Sequence, residues 1–305
     1  MGDMRIDFKI ADFIIKWLEE YKYQINKLSV NKKLKEWQSL FRNDDKIISR
    51  LNDSLQIFHF KDSVLSQLIY NGFEESELLF LRRFLSDSDV FVDIGSNIGL
   101  FSLHAAEIVG ESGSVYAIEP TQETFSRLVQ NVRLNNFEDR ITCDNIGLSD
   151  ENGMLSLNIS LNGYDAWNTF ATPINDNLHE TLDVPVKTLD TYIIERAILR
   201  QKISLIKIDV EGWELHVLNG ARDLLTDDDA PVLIVEFAES YAFAAGTSCY
   251  EVYDKLLEFG YRLYSYDKEN NQLILDTKRL HYPYLNLIAA KDINKVVNRI
   301  EQHKS

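Results

Sequence analysis

The sequence feature that most constrains the fold is the stretch from Val90 to Gly99. It begins with apolar, β-branched and aromatic residues up to Val92, which are typical of a strand buried on both faces. Asp93 ends this run, and Gly95 and Gly99 then allow the backbone to turn sharply and to approach a ligand closely. A helix that follows such a turn points its free N–H groups at the ligand. The stretch therefore predicts a site for a nucleotide-like cofactor at the carboxyl end of a parallel strand.

Strands and helices alternate along the rest of the chain. Further strands are predicted at residues 114–118, 141–145, 205–208, 232–237, 261–266 and 285–290. Helices are predicted at residues 98–109, 122–134, 212–225 and 250–259. This order implies an α/β fold with a parallel sheet and helices on both faces. Because no helix separates the last two strands, we expect them to pair antiparallel at one edge of the sheet.

Two regions depart from the alternation. Residues 7–50 are predicted to be mainly helical, because apolar residues recur there at helical spacing. Residues 155–159 and 184–187 are predicted strands with a polar loop between them. Aromatic residues of the segment 160–177 suit either a lid over a substrate or the packing of a loop on the sheet, and both interpretations stay open. These aromatic residues are Tyr164, Trp167 and Phe170.

Charge and cysteine content limit the partners. The 305 residues carry a formal net charge of −16, and an acidic chain repels nucleic-acid backbones and anionic lipid. No apolar run approaches the length of a membrane span. We therefore expect neither a nucleic-acid partner nor a membrane span. Cys143 and Cys249 lie far apart without metal-type spacing, which predicts two free thiols and a cytoplasmic location.

The spacing of the glycines narrows the choice of cofactor. A dinucleotide site requires Gly-x-Gly-x-x-Gly so that a pyrophosphate can approach the backbone. Here Asn97 occupies the position of the second glycine. A side chain at that position leaves less room for a diphosphate and favours a small zwitterion joined to a nucleoside. A glycine turn that serves only packing is the alternative.

Polar residues end the next two strands at the same edge of the sheet. Glu119 closes the second strand, where an acid accepts hydrogen bonds from ribose hydroxyls, and Pro120 then stops the strand. The alternative for Glu119 is to cap the following helix. Asp144 and Asn145 end the third strand, where a short acid or amide either contacts an adenine amino group or serves the turn.

A second cluster of charged residues follows the fourth strand and contains Lys207, Asp209, Glu211 and Glu214. Asp209 is placed so that Glu236, at the end of the next strand, can approach it. Two acids at the ends of adjacent strands hold a hard cation or share acid–base chemistry. The alternative is that these acids only cap the following helix.

Taken together, these residues resemble the class I S-adenosylmethionine-dependent methyltransferases, and more closely the FkbM-type methyltransferase family. The glycine loop is shared by many methyltransferases, whereas Thr-Leu-Asp at 188–190 and Lys-x-Asp-x-Glu-Gly-x-Glu at 207–214 are far more specific to this family. The motifs lie in the family's order and are Gly72-Phe73-Glu74, Val92 to Gly99, Ala117-Ile118-Glu119-Pro120, Asn145 to Ser149, Val186 to Asp190, and Ile206 to Glu214.

The resemblance implies a Rossmann-like, doubly wound sheet of seven strands, mostly parallel with the last strand antiparallel. It implies methyl transfer from S-adenosylmethionine to oxygen, commonly a hydroxyl on a sugar, a glycan or a natural product. The residues implied to bind the cofactor are Asp93, Gly95, Ser96, Asn97, Gly99, Glu119, Pro120, Asp144 and Asn145. The residues implied to face the acceptor are Lys207, Asp209, Glu211 and Glu236.

Two hypotheses concern the chemistry. The first is that Asp209, with Glu211 or Glu236, removes or relays the proton of the acceptor hydroxyl. The second rests on an analogy with metal-dependent catechol O-methyltransferases, which also place acids after these strands, and puts Mg²⁺ on Asp209 and Glu236.

The resemblance also divides the chain. We expect a methyltransferase domain over residues 71–292, a mainly helical extension over 1–70 and a C-terminal tail over 293–305. The N-terminal helices suit either a substrate cover or a homodimer surface. Two other functions stay open, an NAD(P)-dependent dehydrogenase and a non-catalytic interaction module that retains the cofactor fold. The glycine spacing argues against the first, and the intact acid cluster argues against the second.

Overall fold

The computed structural model describes residues 35–160, 168–172 and 179–302. The chain divides into two compact units, one of residues 1–47 and 60–62 and one of residues 48–59 and 63–305. In the described part of the first unit, residues 35–40 are helical, and the ring of Trp37 packs edge-on against Phe41 at 4.8 Å between centroids. The predicted dimer surface of the N-terminal helices lies largely outside the described residues.

The second unit contains the predicted alternation of strands and helices. In chain order the elements are β1 (Lys46–Arg50), β2 (Gln56–Phe60), α1 (Val64–Tyr70), α2 (Glu75–Phe84), β3 (Val90–Ile94), α3 (Leu100–Val109), β4 (Ser114–Ile118), α4 (Gln122–Leu134), β5 (Ile141–Asp144), β6 (Gly147–Leu148), β7 (Gly153–Ser160), β8 (His179–Lys187), α5 (Leu189–Glu195), β9 (Ile203–Ile208), α6 (Glu214–Asn219), α7 (Arg222–Leu225), β10 (Val232–Phe237), α8 (Glu239–Ala244), α9 (Cys249–Glu258), β11 (Arg262–Asp267), β12 (Gln272–Leu275), β13 (Leu285–Ala290) and α10 (Ile293–Gln302).

The main sheet has eight strands in the order β12-β11-β13-β10-β9-β3-β4-β5. The five strands from β10 to β5 are mutually parallel, and β13 is antiparallel to both of its neighbours. This confirms the α/β class and the mostly parallel sheet with an antiparallel last strand. Every residue of β3 and β10 is buried, as expected for strands covered by helices on both faces.

The sheet differs from the prediction in two ways. It has eight strands rather than seven, because residues 268–271 turn the chain back and β12 pairs with β11. The Asp267 carboxylate stabilises that turn by accepting hydrogen bonds from the backbone N–H groups of Glu269 and Asn270. The antiparallel pair is also not at the edge, since β13 lies between β10 and β11.

Three local predictions were wrong. Residues 46–50 form a strand, β1, rather than the end of a helical region. The helix predicted over 212–225 is split into α6 and α7 at Gly220, where a Cβ atom would lie 2.0 Å from the carbonyl oxygen of Ser149. Residues 293–302 are a helix, α10, with Val296 and Ile300 buried, where a C-terminal tail was expected.

The strands β6, β7 and β8 form a separate three-stranded sheet in the order β6-β8-β7. β7 and β8 pair antiparallel over their whole length, from Gly153 with Val186 to Ser160 with His179. The two strands predicted in this region are confirmed and are longer than expected. Of the aromatic residues in the predicted lid, Tyr164 and Trp167 lie outside the described residues.

Two expectations from composition can also be compared with the structure. Cys143 and Cys249 are free thiols, as predicted. Among the described residues, no helix combines the length and the apolar character that crossing a bilayer requires.

The helix α10 is fixed to the start of β3 by Asp89. The guanidinium of Arg299 donates to both carboxylate oxygens of Asp89, at 2.7 and 3.1 Å. Ser204 Oγ and the backbone N–H of Ser86 donate to the same carboxylate, at 2.6 and 2.8 Å. Asp89 therefore joins the C-terminal helix, β9 and the entry to β3.

We predict that Asp89→Asn lowers the free energy of unfolding by about 2 kcal/mol, because the half-buried Arg299 loses its charged partner. Denaturation in urea measures this loss. Asp87→Asn, at an exposed position two residues earlier, is the matched control and should change the stability by less than about 0.5 kcal/mol. Equal losses in the two variants would contradict the assigned role of Asp89.

Candidate functional site

The loop after β3 is held between the ends of β9 and β4. The backbone N–H groups of Gly95 and Ser96 both donate to the carbonyl oxygen of Ile118, each at 3.0 Å. Gly95 has φ +78°, and a Cβ atom at this position would lie 1.8 Å from the carbonyl oxygen of Asp209. Only glycine fits here, because both the backbone conformation and the available space exclude a side chain.

This loop borders a concave pocket. The pocket wall includes the β3 loop, the strand ends of the main sheet, the segment before α2, and residues of β6, β7 and the segment 168–170. Asp93, Gly95, Ser96, Asn97, Glu119, Pro120, Lys207, Asp209 and Glu211 are the predicted site residues on this wall. Gly99 is not on the wall and instead begins α3 with φ +96°.

Asp93 and Ser96 present polar atoms that no described residue satisfies. Asp93 is buried, and its Oδ2 accepts a hydrogen bond from Ser102 Oγ at 2.5 Å. In the described part of the chain, Asp93 Oδ1 and Ser96 Oγ are buried without a partner. Burial raises the pKa of Asp93, and the nearby Lys207 opposes that rise. Unsatisfied buried polar atoms on a pocket wall suit a ligand that carries hydrogen-bond donors.

Glu119 lies on the pocket wall and also fixes the loop. Its Oε2 accepts a hydrogen bond from the backbone N–H of Asn97 at 3.1 Å, and its Oε1 accepts one from Thr121 at 2.9 Å. Adjacent strands lie about 4.8 Å apart, so Glu119, after β4, lies two strands or roughly 10 Å from Asp209, after β9. The pocket therefore has one end at Glu119 and another at Asp209.

Asp144 and Asn145, of which one was implied to contact the adenine, are not among the described residues that line the pocket. Asp144 Oδ2 accepts a hydrogen bond from Tyr192 at 2.7 Å, and the carboxylate also pairs with Arg196. The side-chain amide of Asn145 donates to the carbonyl oxygens of Glu119 and Pro120, both at 2.9 Å. Both side chains support the strand ends. The wall at this end of the pocket is formed instead by Ile118, Ile146, Gly147, Leu148, Asn168 and Phe170.

Lys207 is the buried cation at the other end of the pocket. Its Nζ lies 2.5 Å from Asp209 Oδ2 and 4.8 Å from the centroid of the Phe101 ring. Burial disfavours the charged ammonium and lowers its pKa. The nearby carboxylates of Asp209, Glu74 and Asp93 have the larger effect, so the pKa of Lys207 is raised above its usual value. Lys207 is therefore a permanent positive charge among acids.

Asp209, Glu211 and Glu236 come together as predicted. One carboxylate oxygen from each lies within 4.8 Å of the others. Within the described residues, Oε2 of Glu211 and Oε2 of Glu236 are buried without a hydrogen-bond partner. Burial and the repulsion between the neighbouring carboxylates raise the pKa values of Glu211 and Glu236 well above the ordinary range. Such a cluster takes up protons or a cation.

Glu214, the last acid of the motif, has a structural role. Its Oε1 accepts hydrogen bonds from the backbone N–H groups of Val210 and Gly212, at 3.1 and 3.2 Å. Gly212 has φ +98°, and a Cβ atom there would lie 2.4 Å from the carbonyl oxygen of Tyr241. Burial raises the pKa of Glu214 to about 7. This side chain shapes the loop that carries Asp209 and Glu211.

Glu74 is a pocket residue to which the sequence assigned no role. It precedes α2 with φ +53°, and its side chain does not cap that helix. Glu74 Oε1 accepts a hydrogen bond from the amide of Asn286, at 3.2 Å. Burial raises the pKa of Glu74 to about 7, with Lys207 lowering it and Asp209 raising it further. Its only sequence signal was the Gly72-Phe73-Glu74 motif of the resemblance.

Comparison with known protein families identifies the family of this chain. A family model described as the methyltransferase FkbM domain matches residues 93–263, more than half of the chain. The chain therefore belongs to the FkbM methyltransferase family, which confirms the resemblance found in the sequence.

The chain is also similar to individual proteins and to solved structures, in each case over part of their length. Methyltransferase 1 of Beauveria bassiana is 32% identical over 152 residues, which are 45% of this chain and 60% of the relative. Hexuronic acid methyltransferase AglP of Haloferax volcanii is 32% identical over 164 residues, 50% of this chain and 58% of the relative. The matched part thus spans about 60% of these relatives. The match to the solved structure of methyltransferase FkbM from Methylobacillus flagellatus KT covers 85% of this chain and 58% of the chain in that structure. The two sequences are 16% identical, and the TM-score is 0.41.

The pKa of Glu214 generates a prediction about stability and pH. In the folded chain the pKa is about 7, against an ordinary value of 4.5. Between these values the folded state keeps a proton that the unfolded state loses, so this contribution to stability is lost as the pH rises through 7. From about pH 6 to about pH 8 the free energy of unfolding should fall by roughly 1 kcal/mol on this account.

Glu214→Gln should remove that part of the pH dependence, because an amide does not titrate but still accepts the backbone hydrogen bonds. Urea denaturation at several pH values measures the effect. Glu151→Gln, at an exposed turn, is the control and should retain the full dependence. An unchanged pH profile in Glu214→Gln would contradict the assignment.

Proposed function

We propose that this FkbM methyltransferase transfers a methyl group from S-adenosylmethionine to a hydroxyl oxygen of a sugar, a glycan or a natural product. The observation that supports this most is the arrangement of one pocket with two chemically different ends. Asp93, Ser96 and Glu119 border the end at the glycine loop, and Lys207 and Asp209 border the other. The sugar class draws support from the 32% identity to a hexuronic acid methyltransferase.

The residues of the first end fit S-adenosylmethionine. The unpartnered Asp93 Oδ1 and Ser96 Oγ suit its amino acid group, and the carboxylate of Glu119 suits its ribose hydroxyls. Apolar residues beyond Glu119, including Ile146 and Phe170, suit its purine ring. When bound, this cofactor supplies a methyl group that is electrophilic because it is attached to a sulfonium.

The residues of the second end prepare the acceptor. Alignment of the hydroxyl oxygen lowers the barrier by several kcal/mol. In the proposal, Asp209 accepts the hydroxyl proton, and Lys207 holds the Asp209 carboxylate in place at 2.5 Å. A deprotonated Glu211 or Glu236 then takes the proton from Asp209, because a raised pKa makes a carboxylate a better proton acceptor.

Asp209, Glu211 and Glu236 also suit a divalent cation. Their oxygens lie within 4.8 Å of one another, and two of them are buried without a partner among the described residues. Hard oxygen donors of this kind favour Mg²⁺. A bound ion would supply Lewis-acid stabilisation of the acceptor oxygen. The metal is part of the proposal and extends the predicted pair of Asp209 and Glu236 by Glu211.

Two alternatives make different predictions about ligands. A dehydrogenase binds NADH, and a non-catalytic module binds S-adenosylhomocysteine without transferring methyl groups. We expect calorimetric titration to show binding of S-adenosylhomocysteine and none of NADH. Labelled methyl transfer to a library of hydroxyl compounds then separates the enzyme from the module. Absence of S-adenosylhomocysteine binding would refute the proposed function.

We predict that Asp209→Asn lowers kcat by about 100-fold to 10,000-fold, because an amide does not accept the hydroxyl proton. Affinity for S-adenosylhomocysteine should stay within about threefold, since Asp209 lies at the acceptor end of the pocket. Asp227→Asn, at an exposed position, is the control. A variant that binds the cofactor product and keeps full kcat would remove Asp209 from the mechanism.

The metal has a test that does not depend on turnover. We expect Mn²⁺, used as a paramagnetic substitute for Mg²⁺, to bind the chain and to give a saturable signal in electron paramagnetic resonance. Glu236→Gln should weaken this binding by at least about tenfold, because a charged ligand is lost. Glu239→Gln, on the helix that follows β10, is the control. Equal Mn²⁺ affinity in both variants would argue for a metal-independent enzyme.

A further inference from the structure

The acceptor end of the pocket contains an excess of hydrogen-bond acceptors. The side-chain amide of Asn286 donates a hydrogen bond to Glu74 Oε1 at 3.2 Å, and this hydrogen bond leaves Glu74 Oε2 unused. Glu236 does not line the pocket and is 2% exposed; one of its carboxylate oxygens lies within 4.8 Å of those of Asp209 and Glu211, and its Oε2 is buried without a partner among the described residues. The Oε2 atom of Glu211 is likewise buried without a hydrogen-bond partner among the described residues. Three carboxyl groups from three different segments thus each have an oxygen available for a donor.

Positive charge is scarce at the same place. Among the described residues that line the pocket, Lys207 is the only Lys, Arg or His, and its Nζ already pairs with Asp209. A carboxylate on the acceptor would add negative charge beside Asp209, Glu74 and Glu211, where burial and the neighbouring acids already raise the pKa values of both glutamates. A hydroxyl group, in contrast, donates one hydrogen bond and carries no charge.

The backbone conformation at Glu74 fixes where its side chain lies. A non-glycine residue with φ +53° is uncommon, and such residues concentrate at ligand sites where the surrounding structure holds them in place. The next residue, Glu75, is exposed and pairs with Lys268 at 3.1 Å. Glu74, just before α2, therefore lies in the pocket, whereas Glu75, the first residue of α2, lies at the surface.

We propose that Glu74 binds a hydroxyl of the methyl acceptor through its available oxygen, and that the acid-lined pocket selects an uncharged polyhydroxyl acceptor over one that carries a carboxylate. The inference rests on the proposed function and names its substrate class. It differs from the acceptor in the name of the hexuronic acid methyltransferase relative. Glu74 would touch the substrate directly, as an acceptor-binding residue that adds to Asp209.

The test compares two sets of sugars that differ in one group. One is a pool of methyl hexopyranosides, and the other is a pool of the corresponding methyl hexuronides, in which a carboxylate replaces the primary alcohol. Methyl transfer from labelled S-adenosylmethionine is measured for the wild type with and without Mg²⁺. We expect the neutral pool to be methylated at least tenfold faster than the uronide pool in both conditions.

Glu74→Gln and Glu75→Gln then test the residue itself. The glutamine at position 74 keeps an oxygen for Asn286 but replaces the available acceptor by an N–H donor. We expect KM for the neutral pool to rise at least tenfold in Glu74→Gln, with a smaller change in kcat. Affinity for S-adenosylhomocysteine should stay within threefold, and Glu75→Gln should match the wild type.

Three results would overturn the inference: faster methylation of the uronide pool, an unchanged KM in Glu74→Gln, or no methylation of either pool by a wild type that binds S-adenosylhomocysteine. A loss of S-adenosylhomocysteine affinity in Glu74→Gln would reassign the residue to the cofactor end and also reject the inference. Failure of the wild type to bind S-adenosylhomocysteine is a separate outcome, since it refutes the proposed function and not only the choice of acceptor.

Discussion

The close approach of the Gly95 backbone to the carbonyl oxygen of Asp209 determines how the two halves of the site are arranged. The strands β3 and β9 are hydrogen-bonded neighbours, and Asp93 lies opposite Lys207 in their register. With no side chain at Gly95, the loop after β3 and the loop after β9 pack backbone against backbone. The glycine loop and the acid cluster are therefore one rigid structure, and displacement of either loop would displace the other.

Lys207 balances the charge of this rigid structure. Its ammonium group lies among acids contributed by β3, β9 and the segment before α2, and its pKa is raised by them. One cation does not neutralise all of these carboxyl groups, and burial, together with repulsion between the acids, raises the pKa values of several of them. The remaining negative charge is the physical basis for both the proposed proton transfer and the proposed choice of acceptor. It also gives the site a reason to bind a cation.

The sequence predicted the parts of the site that depend on local pattern. A buried apolar run followed by Gly-x-x-x-Gly identified β3 and its loop, and acids at the ends of adjacent parallel strands placed Asp209 beside Glu236. Glu74 was not predicted, because its entry into the pocket depends on a positive φ and on Asn286, 212 residues away. The adenine contact predicted for Asp144 stays a prediction, and the partners that Asp144 has in the structure, Tyr192 and Arg196, were not visible in the sequence, since a strand-end acid shows no sign of its tertiary contacts.

Asp89 and Arg299 are separated by 210 residues along the chain, and this distance has a consequence for synthesis. During translation the carboxylate at the entry to β3 emerges long before the guanidinium that pairs with it. The strand β13, which completes the pairing of β10, also emerges late. The pairing of Asp89 with Arg299 and the pairing of β10 with β13 therefore form only after the C-terminal part of the chain has been synthesised.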